Sequence, residues 1–355
     1  MIKNCHIYIL LTVLLTIAGC ARETEMFPEP TPAYKIPIRW SIEQGETRAL
    51  VNNNLLQESC TPAEDGSNES IGIWGDYTTG SSGEEVSVKE FVATPLTYIT
   101  GTFNSWEYPG EARYWESQAI YNFRACYPQK LMTTLMTQMD ATMFQGGPIN
   151  TMAMQEDILV AATQVDTRTA RLSEPVRLNM QHIFAAIMFK VKACDGFVPP
   201  ADEGVTSCWL QNSSSETNLF SPAGYLVHSG NALPEIKWHP YESSQAPMYV
   251  WKHQGVSFSL ENTLYTQNGG MQGEEFTHND GWLLVVPQTV KAGTLNFCYT
   301  LNKAGYQVFS VNIPQITYEP GKKYTYVLEI RGSKVELKLT IKPWNHLESS
   351  YDISI

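Results

Sequence analysis

Basic residues are scarce in this chain: 24 Lys and Arg stand against 36 Asp and Glu, for a formal charge of −12. No run of cations could hold a phosphate backbone, so nucleic acid is not an expected partner. Catalytic patterns are missing as well. There is no HExxH, GxSxG, P-loop or GxGxxG. His6, His182, His228, His239, His253, His278 and His346 are scattered without ligand spacing, so neither a metal nor another cofactor is expected. Adjacent carboxylates occur at Glu84-Glu85 and Glu274-Glu275, but neighbours on a strand point to opposite faces and in a loop are solvated. An enzyme is not expected.

Cysteine is sparse and unpatterned. Cys5 lies in an apolar leader and Cys20 ends it, which leaves Cys60, Cys126, Cys194, Cys208 and Cys298, an odd number without a CxxC pair. Cys194 and Cys208 are the one local pair an oxidising compartment could join; buried free thiols are the simpler expectation.

Long apolar runs are limited to Ile7–Cys20. This run falls short of the ~20 residues of a membrane span but fits a secretory leader, with Lys3 before it. Ala18 and Gly19 directly before Cys20 resemble the bacterial lipobox. Residues 1–19 read as a signal peptide and Cys20 as the lipid acceptor, in preference to a short anchor or an accidental Cys. Several acyl chains on Cys20 would exceed the two-signal requirement for stable anchoring outside the cytoplasm.

Residues 20–33 carry Glu23, Glu25, Glu29, Pro28, Pro30 and Pro32, a composition suited to an extended tether and not to a core. Tyr34, Ile36, Ile38, Trp40 and Ile42 then alternate with polar residues and Pro37, so they form a strand with one buried face. Pro37 lacks an N–H and places that strand at a sheet edge. The polar stretch Gly45–Ala49 follows as an exposed loop where a protease could reach Arg48; composition alone favours an ordinary surface turn.

Short alternating segments recur at Ile71–Trp74, Val86–Val92, Leu96–Phe103 and Ala119–Tyr127, divided by Gly, Ser and Pro. That pattern predicts sandwich architecture. Met132, Met136, Met139 and Met143 have helical spacing and read as a core-packed helix face in preference to a copper array. Met152–Val165 returns to strand character. Asp166–Pro175 reads as a linker, giving an N-terminal domain of residues 34–170 and a C-terminal domain of residues 171–355.

Pro199–Ser244 is rich in Ser, Asn, Gly and Pro, and predicts long polar loops. Trp209 and Trp238 within it are candidates for stacking on a glycan, or for capping a sandwich end. The last third alternates clearly: Leu295–Leu301, Phe309–Ile313, and Tyr324–Ile330, which turns at Arg331–Ser333 into Val335–Ile341 as a hairpin. Tyr351, Ile353 and Ile355 form a final strand.

The ordered blocks Ile71–Trp74, Tyr121–Pro128 (YNFRACYP), Asp157–Ala161, His182–Lys192, Leu283–Gln288, Glu319–Tyr326 and Ile341–Trp344, after a lipobox, resemble the fimbrillin family of Gram-negative anaerobes. The resemblance implies an all-β chain of two tandem transthyretin-like sandwiches with few short helices. It also implies export as an outer-membrane lipoprotein and an adhesive role in surface fimbriae. Other fimbrial subunits, the membrane through its lipid, and a host or bacterial surface glycan or protein receptor would be its partners. It further implies cleavage by an Arg-directed protease in the loop after the first strand, which Arg48 occupies, followed by strand insertion. Tyr351, Ile353 and Ile355 are candidate donor residues, and equally they could complete their own sheet. The competing expectation is a monomeric glycan-binding lipoprotein displaying Trp209 and Trp238.

Overall fold

A computed structural model describes residues 35–43, 53–63, 69–80, 85–130, 136–139, 143–151, 155–200, 204–213, 220–221, 223–229, 237–240, 249–257, 261–264, 282–301, 308–331, 334–343 and 351–354. Alternation along these segments turns every second side chain inward. The result is an all-β chain with one short helix among the described elements.

The first core is built from β1 (Trp40–Glu43), α1 (Asn53–Ser59), β2 (Ile71–Thr79), β3 (Val86–Ile99), β4 (Ser105–Glu107) and β5 (Ile120–Tyr127). After β6 (Met136–Met139) and β7 (Met143–Asn150), the chain returns to the same core with β8 (Leu159–Asp166), β9 (Val176–Asn179) and β10 (Gln181–His182). Their order is β10-β8-β5-β2-β3-β4-β1-β9. The long β3 makes the corner. Its first part pairs with β2 and its last residues, Thr97 to Ile99, pair with β4. Within the part paired to β2, the register slips around Ile73 to Gly75, and Ala93 holds a φ of 47°. A bulge of this kind bends a strand sharply. Ile38, Trp40, Ile42, Phe91, Tyr121, Phe123 and Leu178 thereby share one cluster.

The chain crosses to a second core at β11 (Ala185–Ala193), followed by β12 (Gly204–Asn212), β13 (Ala223–Ser229), β14 (Lys237–Pro240), β15 (Tyr249–Ser257) and β16 (Asn262–Leu264). It continues with β17 (Leu283–Val285), β18 (Gln288–Val290), β19 (Leu295–Leu301), β20 (Val308–Asn312) and β21 (Ile316–Tyr318). The chain closes with β22 (Lys322–Arg331), β23 (Lys334–Pro343) and β24 (Tyr351–Ser354). One sheet runs β16-β11-β22-β23-β24 with β17 also on β11, and another runs β15-β12-β19-β20. Their inner faces meet where Phe189 stacks on Phe297 at 4.3 Å and on Tyr326 at 5.1 Å. The expected hairpin is present, with Arg331 opposite Lys334.

Two sequence expectations are corrected here. Met136 and Met139 lie on a strand paired with β7 and not on a helix, and Met143 opens β7, which pairs in turn with β13; Met132 lies outside the described residues. The next strand, β7, supplies the β6 partners and the distant β13 flanks β7, pairings that a 3.6-residue period does not register. The stretch 199–244 contains β12, β13 and β14, where long polar loops were expected. The simpler expectation for the cysteines holds: Cys60, Cys126, Cys194, Cys208 and Cys298 are all free, with Cys194 half-buried and Cys208 in the core, so the Cys194–Cys208 pair is not formed. Burial pushes the Cys126 and Cys208 thiols well up and keeps them protonated.

Candidate functional site: the first strand and its slot

The first strand enters the core through alternate residues. Ile38, Trp40 and Ile42 are buried, while Ile36 remains 37% exposed, and Arg39 and Glu43 face solvent. Trp40 meets Phe91 and Phe123 edge-on, with centroids 5.3 and 5.0 Å away. Such T-shaped contacts set ring edges against ring faces and add to simple area burial.

Contrary to the sequence expectation, this strand is not at the sheet edge. β1 lies between β4, which it meets at Trp40↔Trp106, and β9, to which it runs parallel from Trp40↔Val176 to Glu43↔Asn179. Pro37 is compatible with this position because it forms an isolated bridge with Tyr114 in which its flanking residues carry the bonds. The Ile38 N–H donates to the Arg113 carbonyl at 2.8 Å, and the Trp115 N–H donates to the Ile36 carbonyl at 3.0 Å. On the other side, β9 begins only beyond Pro37, where the Val176 N–H donates to the Arg39 carbonyl at 2.7 Å. The Met180 N–H closes that run on the Glu43 carbonyl at 2.9 Å. The strand is flanked on both sides, but by two four-residue or shorter partners, and its outer face is open.

The loop that receives residues 36–38 is itself wired to the core. Its Arg113 N–H donates to the Tyr108 hydroxyl and its Glu116 N–H to the Tyr121 hydroxyl, both at 2.8 Å. Burial pushes the Tyr121 phenol up to about 12, with the Glu116 N–H acting against that rise. The Trp115 indole packs edge-on against Tyr121 at 4.9 Å and donates to the Leu172 carbonyl. This loop, Tyr108–Glu116, is part of the site that the sequence reading missed. Its dense Tyr, Trp, Glu and Arg content was the available signal.

Other expected site residues fall elsewhere. Trp209 is half-buried mid-strand, opposite Val250 and Cys298, with its indole N–H on Gln211. Trp238 stands opposite Leu226 on β14, in a different sheet, so the two Trp are not brought together in one sheet. Tyr351 and Ile353 pair with Ile341 and Leu339, completing their own sheet at its margin. Cys20, Tyr34, Arg48 and Ile355 lie outside the described residues, as do the side chains of Trp238, Tyr351 and Ile353. Among the described residues no cluster has the make-up of a metal site, and no helix is long and apolar enough to cross a membrane.

A fimbrillin-like family model matches residues 47–344, and the chain belongs to that family. Family membership makes this a fimbrial or adhesive protein of the cell surface, with a non-enzymatic role. The curated proteins contain no match. The chain is similar to the solved structure of a fimbrial protein from Bacteroides vulgatus, at 15% identity and a TM-score of 0.55, over 87% of this chain and 99% of that one. It is also similar to a candidate cell adhesion protein from Bacteroides uniformis, at 16% identity and a TM-score of 0.50, over 86% and 99%.

Proposed function

We propose that this chain is a subunit of surface fimbriae, exported as a lipoprotein on Cys20 and matured by cleavage after Arg48. It is built as two tandem sandwiches of transthyretin-like type. We keep the division at residues 34–170 and 171–355 as a proposal, with Val176, Leu178 and Met180 of the second stretch packing in one cluster with Trp40 and Phe123 of the first. Cleavage severs the lipid and first strand from the body, so release from the membrane and exposure of the slot are one event. A neighbouring subunit then supplies an extended strand, pairing through its main chain and filling pockets with alternate side chains. Tyr351, Ile353 and Ile355 have the required alternation if they leave β23.

The observation that carries this reading is the lodging of Ile38, Trp40 and Ile42 in a slot with strand partners on both sides. An empty slot of that form offers two rows of unpaired backbone groups, which bind a strand more firmly than one edge would. Mass spectrometry of the protein recovered from fibres tests it. The expected N-terminus is Ala49; fibres built wholly of chains beginning at Cys20 would overturn the proposal.

A further inference from the structure

The loop Tyr108–Glu116, the end of β2 and the start of the first strand enclose an open groove of about 500 Å³. Glu90, Glu111 and Glu116 line it together with Tyr77 and Tyr114. Arg113 also reaches this region, but its guanidinium lies 4.2 Å over the Phe91 ring and donates to the Glu90 carbonyl. The remaining cation is Lys35, whose ammonium stands 5.7 Å over the Tyr114 ring. Aromatic faces attract a cation through their quadrupole, and carboxylates do so through charge. Burial and the charges of Glu116 and Glu90 both push the Tyr77 phenol up, so the carboxylates act on the wall facing the guest.

Lys35 belongs to the segment that the preceding proposal removes. Its position is set by two bonds one and three residues on: the Ile36 carbonyl receives the Trp115 N–H, and the Ile38 N–H reaches the Arg113 carbonyl. Any strand that repeats those two bonds presents the residue just before them to the groove. We propose that this groove is a receptor for a basic side chain, with Lys35 its resident occupant and Lys or Arg required at the matching position of the strand that replaces it. The inference rests on the strand-exchange reading and adds a selection rule to it.

That rule discriminates between donors. Three same-direction placements keep Tyr351, Ile353 and Ile355 all within positions 34 to 42, with Tyr351 at 34, 36 or 38. They bring Asp352, Ser350 or Glu348 to the groove. None is basic and two are acidic. Every such register of the C-terminal strand of a second copy therefore lacks the required cation, and two of the three add a repelling carboxylate, so the fitting partner is a different chain whose donor strand carries Lys or Arg one residue before its first loop bond.

The test uses the full chain nicked at Arg48 by limited Arg-specific proteolysis, with labelled peptides spanning Tyr34–Glu43 followed by fluorescence anisotropy. The native peptide and its Lys35→Arg form are expected to bind alike, and the Lys35→Glu form at least tenfold more weakly. The penalty should shrink in high salt and vanish on a nicked chain carrying Glu90→Gln, Glu111→Gln and Glu116→Gln, which isolates the pairwise coupling. A Leu347–Ile355 peptide should not compete. Equal binding of the Lys35→Glu and native peptides overturns the groove's role while leaving strand exchange standing. Absence of binding by every peptide overturns strand exchange and the groove's role with it. Perturbation of Tyr77 and Tyr114 resonances by lactose, with no charge preference among peptides, would make the groove a sugar site and overturn the proposal.

Discussion

The Trp40 side chain is held by ring contacts and not by a hydrogen bond of its own. Its buried indole nitrogen has no hydrogen-bond partner, while Phe91 and Phe123 meet the ring edge-on. Trp40→Ala should remove about 3–5 kcal/mol of stability from the uncut chain, read from the urea midpoint. Gly75 is constrained from the opposite wall. A Cβ there would meet the Phe123 ring at 2.7 Å and Phe91 at 3.0 Å, and both rings are already fixed by Trp40. Gly75→Val should therefore cost about 1–3 kcal/mol through overpacking, read from the same unfolding curve.

At the scale of elements, β11, β22 and β23 are tied across one face by Glu329, which accepts from Lys192 at 2.8 Å and Lys338 at 2.7 Å. Those two bonds hold its carboxyl below the usual range, Lys192 acting most strongly. A lowered carboxylate adds stability above its unfolded pKa and loses it as pH falls through the folded value. Glu329→Gln should melt lower than wild type at neutral pH, and the gap should close in acid, as thermal melts across pH would show. The first strand is the other element with a measurable worth. Ile38, Trp40 and Ile42 are buried while Ile36 is half out. Three large side chains at ~1.5–3 kcal/mol each give about 5–9 kcal/mol. Chains cut after Arg48 and freed of the strand should be destabilised by that order, and recover when the Tyr34–Glu43 peptide is returned in excess.

Across the whole molecule the two cores meet at a polar clasp. The buried Gln155 amide donates to the Thr151 and Leu284 carbonyls and accepts the Leu284 N–H at 2.7 Å. Close by, His182 and Asp157 form a buried pair at 2.7 Å. β17, which carries Leu284, pairs with β11 of the second core. Gln155→Ala strips buried backbone groups of their partners, each worth about 1–3 kcal/mol. It should lower the melting temperature and split a single calorimetric transition into two, one per core. Retention of one unchanged transition would mean that the cores are joined by other contacts.

Alternation alone was enough to read many strands of the first and last thirds and the β22–β23 hairpin, because a period of two is a local property; of the alternating set from Tyr34 to Ile42 it placed Ile38, Trp40 and Ile42 inward correctly but not the exposed Ile36. The resemblance in ordered blocks carried the family. The sheet neighbours of β1 were not legible: Val176 to Asn179 lies more than a hundred residues away, and Pro37 argued for an edge when its missing N–H falls where no partner strand has yet begun. The Met stripe misled because Met136 and Met139 pair with the adjacent β7, and the other neighbour of β7, β13, lies far along the chain. The groove at Lys35 had no sequence pattern at all. Its walls come from separate segments, and chain folding, through backbone pairings distant in sequence, is what sets those charges and rings around one space.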